Sequence, residues 1–101
     1  IAVTGAQRMA QLPDIPAVAE TYPGFEVVPF YGFVPPAGTP PEIVNRLNVA
    51  IGESIAALAP KLLGMGNEPM QMSPAEFRAF LARDLAHWTR IVDTVKPPHT
   101  P

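Results

Sequence analysis

Cysteine is absent from this 101-residue chain, which removes disulfides, thiolate nucleophiles and zinc–thiolate sites together. Histidine is nearly absent. His87 and His99 stand too far apart to pair across one helical turn, so no metal site is expected. The two serines, Ser54 and Ser73, fall inside a helical pattern and at a helix start, and no G-x-S-x-G elbow surrounds either. Charge is scarce as well, at 16% of residues against about 25% in an average domain. The seven basic residues form no run and the net charge is −2, which argues against nucleic acid and against a polybasic membrane patch. No stretch approaches the roughly 18 uninterrupted apolar residues of a membrane span. The acidic residues read as caps (Glu42, Glu76), a turn (Asp14) and solvated helix surface (Asp84, Asp93), not as an acid–base pair. These absences together speak against an enzyme, and no cofactor is expected.

What is abundant is proline, at 14 residues, and apolar side chains, at 48%. Ile1–Gly5 (IAVTG) is a short apolar run ending in glycine and reads as a strand. Residues 6–16 read as a loop, and 16–21 leave room for one short helix with Pro16 at its first position. Residues 25–34 (FEVVPFYGFV) are aromatic and β-branched and read as a strand. Pro29 confines it to an edge or a bulge.

Thr39 with Glu42 forms a capping-box pattern, and the apolar stripe Ile43, Val44, Leu47, Ala50, Ile51, Ile55, Leu58 predicts a helix over 40–58. Pro60 and Gly64–Gly66 mark a break. Residues 68–72 are a candidate short strand. Ser73 with Glu76 repeats the start signal. Phe77, Phe80, Leu81, Leu85, Trp88, Ile91, Val92 and Val95 then predict a helix over 74–95 with those residues inward. The tail 96–101 (KPPHTP) reads as loose. Strand and helix alternate, which indicates α/β. Two or three short strands with two long amphipathic helices cannot cover both faces of a sheet, so residues 1–101 read as a single partial domain.

Two places could meet a ligand. Thr4, Gly5, Ala6 and Arg8 follow the first strand, and a hydroxyl, backbone amides and an arginine at a strand's C-terminal end suit a carboxylate. A plain surface loop is the competing reading. Phe30 and Tyr31 could stack on a ligand or pack at a hinge. Gly64-Met65-Gly66 follows a helix instead of a strand, so it is not a dinucleotide fingerprint.

Three runs resemble the receptors of tripartite tricarboxylate transporters, the Bug-type proteins. IAVTGAQRMAQLPDIPAVAE is similar to their "LAVTsakR…LPDvPTvaE" segment. FYGFVPPAGTPPEIVNRLNVAI is similar to "WyGl.aPAGTP..iv.rLN", and GNEPMQMSPAEFRAFLARDLAHWTRIV to "Ga.p…tpeeF..fi..e..kW..vvk". The order and spacing match across positions 1 to about 95. Ala17 stands where the family commonly has threonine, Phe30 where it has tryptophan, and KPPHTP replaces the usual "aGI" ending.

The resemblance implies the last third of a two-lobed periplasmic binding protein of type II fold, closing on a small organic acid and delivering it to membrane permease subunits. It also implies that the main ligand loops lie in the other two-thirds. A fragment with an open sheet edge would associate, so a homo-oligomer is expected in isolation. A reading from another class stays open: a stand-alone helical α/β interaction module that binds no ligand.

Overall fold

The computed structural model describes residues 1–95. The expectation for the tail 96–101 lies outside the described residues. The chain divides into two compact units, Ile1–Val34 and a second beginning at Pro35.

In the first unit, the opening run is held on two sides. Val3 N–H donates to Pro16 O at 2.9 Å, and Val3 O accepts from Val18 N–H at 2.9 Å. These two bonds form a single parallel bridge between Val3 and Ala17. On the other side, Thr4 O accepts from Val27 N–H at 2.9 Å. The strands expected at 1–5, 25–34 and 68–72 do not form among the described residues; the bridge is all the pairing that 1–5 achieves. The reason is local chemistry. Pro16 and Pro29 lack the N–H that would extend a ladder beyond the contacts at Val3 and Val27. The short helix expected at 16–21 is a 3₁₀ turn, Val18–Glu20. Ala17, which opens that turn, is 2% exposed and is the buried core residue among those described. A threonine there would have to bury a hydroxyl, so alanine suits the site.

In the second unit, helix α1 spans Pro41–Gly64 and helix α2 spans Pro74–Val95. Thr39 does not cap α1, contrary to expectation. Its Oγ1–H donates to Pro36 O at 2.7 Å, and Pro40 takes the capping position without a side-chain bond. Pro40 and Pro41 carry no N–H, so the helix start has fewer donors to satisfy and less need of a cap. The other expected capping box does form. Glu76 N–H donates to Ser73 Oγ at 3.1 Å, and Ser73 N–H donates to Glu76 Oε2 at 2.9 Å.

Helix α1 runs through Pro60 and ends six residues later than its stripe predicts. It closes in a Schellman motif: Asn67 N–H reaches Leu62 O at 2.9 Å and Gly66 N–H reaches Leu63 O at 3.0 Å. Gly66 makes this possible at φ +80°, a conformation that side-chain-bearing residues disfavour.

Residues 68–72 lie along α1 without pairing as a strand. Asn48 Nδ2–H donates to Met72 O at 2.8 Å, and Gln71 Nε2–H donates to Gly52 O at 3.1 Å. Helices α1 and α2 touch. Val44, Ile51, Ile55 and Leu62 of α1 are half-buried, as are Phe77, Phe80, Leu81 and Ile91 of α2. Phe77 and Phe80 stack at 6.2 Å. The stripe expected inward on α2 therefore splits, because Leu85, Trp88, Val92 and Val95 are exposed. Neither helix contains a fully buried residue.

Candidate functional site

The loop after the bridge begins at Thr4, whose carbonyl is spent on Val27 while its side chain is exposed. A Cβ added at Gly5 would meet Gln7 O at 3.5 Å and Val28 Cγ2 at 3.8 Å. Those are ordinary contacts, so Gly5 is not required for space. Ala6 is exposed. Thr4 and Gly5 thus sit against Val27 and Val28. Two residues on, Phe30 is half-exposed and Tyr31 is 93% exposed.

Arg8 is the most constrained member. Its Nε–H donates to Glu20 Oε2 at 2.9 Å, its Nη2–H to Glu20 Oε1 at 2.7 Å, and its Nη1–H to Pro13 O at 3.0 Å. Glu20 Oε2 also accepts Ala17 N–H at 2.6 Å. The hydrogen bond from Arg8 and then that from Ala17 hold the Glu20 carboxyl down at about 2, from an ordinary 4.5. The same bond, with the charge of Glu20 behind it, raises the Arg8 guanidinium. The pair therefore stays ionised at any pH near neutrality. Nothing in the sequence predicts that Glu20 and the Pro13 carbonyl hold Arg8. The only signal was a carboxylate on the 3₁₀ turn, and a twelve-residue separation carries no periodicity.

Other parts of the described surface offer less. A shallow concavity over α1 is lined by Asn45, Arg46, Val49, Ala50 and Glu53, and one helix cannot enclose a ligand. His87 is half-buried, edge-on to Trp88 at 5.9 Å. Among the described residues no group of three or more His, Cys, Asp or Glu could hold a metal, and no helix is long and apolar enough to cross a membrane.

The sequence pattern of the tripartite tricarboxylate transporter family receptor matches residues 1–96. The chain belongs to this receptor family. A UPF0065 protein of Bordetella bronchiseptica is 34% identical over 101 residues, covering 96% of this chain and 30% of the relative. Protein BugT of Bordetella pertussis is 30% identical, covering 91% of this chain and 29% of its own length. A UPF0065 protein of a Pseudomonas species, from the tcbD-tcbE intergenic region, is 32% identical with 91% and 29% coverage. The chain therefore spans about a third of the length of the curated relatives it matches. No solved structure matches it. The tripartite tricarboxylate transporter receptors are a family of solute-binding receptors and not an enzyme class.

Proposed function

We propose that this chain forms part of an extracytoplasmic, periplasmic solute-binding receptor. The receptor captures a small organic acid and hands it to the permease subunits of a tripartite transporter. The observation that carries the reading is the family match across residues 1–96. In this reading residues 1–101 belong to one partial domain of a two-lobed protein. Thr4, Gly5, Ala6 and Arg8 contribute an anion-facing loop, with Phe30 and Tyr31 as stacking surface. A hydroxyl, amide donors and a guanidinium in one loop suit a carboxylate.

The test is a thermal-shift panel of mono-, di- and tricarboxylates and neutral amides on the complete receptor polypeptide. At least one carboxylate should raise the melting temperature in a concentration-dependent way. Thr4→Val and Tyr31→Ala should each weaken that response several-fold. Stabilisation by the neutral amides alone, with no carboxylate effective, would rule the reading out.

A further inference from the structure

Arg8, on which the proposed loop depends for positive charge, already holds a carboxylate. Glu20 meets it fork to fork at 2.9 and 2.7 Å, the two-point grip by which a guanidinium recognises a carboxylate. A carboxylate ligand would bring the same pair of oxygens to the same pair of donors. Glu20 is tethered from behind, because its Oε2 accepts the N–H of Ala17 at 2.6 Å and Ala17 is buried against the Val3 bridge. When Arg8 turns to a ligand, the Glu20 charge stays close by and repels it. The pair is also accessible, with side chains 46% and 45% exposed. A dissolved anion can therefore reach the guanidinium, and a carboxylate offers it the same two-point geometry that Glu20 does.

We infer that Glu20 is an internal competitor for Arg8, so that anionic ligands bind by exchange with it and Glu20 sets their affinity. This rests on the reading of the Thr4–Arg8 loop as a carboxylate site. The Glu20→Gln variant isolates the effect. Glutamine keeps the shape and an acceptor for Ala17 N–H, and removes the charge.

Acetate, as the smallest carboxylate, is titrated into the complete receptor polypeptide while the ¹⁵N–¹H signal of Arg8 Nε is followed. In Glu20→Gln the acetate concentration at half-saturation should fall roughly threefold or more. The melting temperature without acetate should stay equal or drop. Tighter binding with unimproved stability is the signature of a competitor. If Glu20 only braced the fold, the acetate response and the stability would decline together. An unchanged or raised half-saturation in Glu20→Gln overturns the inference, whatever the thermal-shift panel shows. A panel in which no carboxylate stabilises the native receptor overturns the receptor reading by itself, even if the acetate exchange behaves as described.

Discussion

Glu20 gathers two donors of Arg8 and the N–H of Ala17 on one carboxylate, and its titration follows from them. Its folded value, about 2, lies below the ordinary 4.5. The stabilisation it provides is therefore complete above 4.5 and is lost as pH falls from 4.5 towards 2. Carboxyl carbon chemical shifts should give Glu20 a midpoint near 2; a midpoint near 4.5 would mean that the pair does not form in solution. Ser73 makes the second residue-level prediction. Replacing it with alanine removes the acceptor for Glu76 N–H and should cost about 1 kcal/mol in urea unfolding of the second unit. The two cases differ in how legible they were. Ser73 and Glu76 lie three positions apart, and a capping box is a local rule. Arg8 and Glu20 are joined only by the turn that Pro13 and Ala17 build between them, and no local rule reports it. The candidate loop could be found from its chemistry, but its occupied guanidinium could not.

The two helices were read from periodicity, and α2 occupies the span its stripe and cap predict, 74–95. Helix α1 runs on through Pro60, past the end its stripe predicts. In the fold, the downstream Schellman closure at Gly66 supplies the ending instead. Pro60 still lacks a donor and crowds the preceding turn, so Pro60→Ala should stabilise the second unit by roughly 1–3 kcal/mol, measured by urea unfolding. Gly52 offers a milder version. An added Cβ would lie 3.8 Å from Gln71 Oε1, an ordinary contact. Gly52→Ala should gain about 0.5–1 kcal/mol, whereas a loss would mean that Gln71 must move away from the Gly52 carbonyl. The strands were the failure at this scale. A strand is a relation between two segments, and the aromatic, β-branched composition of 25–34 says only that the segment would fit a sheet, not that a partner lies beside it.

For the chain as a whole, burial is the deciding quantity. Ala17 is the buried hydrophobic residue among those described, and neither helix has one. Unfolding should therefore expose less apolar surface than is usual for a chain of this length. The heat-capacity change of this 101-residue chain should fall well short of the roughly 1.2–1.5 kcal/mol/K of an ordinary 100-residue domain, with a broad transition in calorimetry. A value in the ordinary range would show that the chain buries a core in solution.

Family membership, the α2 span and the lack of cysteine were determined by the sequence alone. Each depends on residue identity and short-range spacing, which the chain carries wherever it goes. Whether the β-like segments pair, which half of each apolar stripe is covered, and that Glu20 holds the arginine beside the candidate loop were decided only by the tertiary structure. Those are contacts between residues distant in sequence, and their energies exist only once the chain has brought them together.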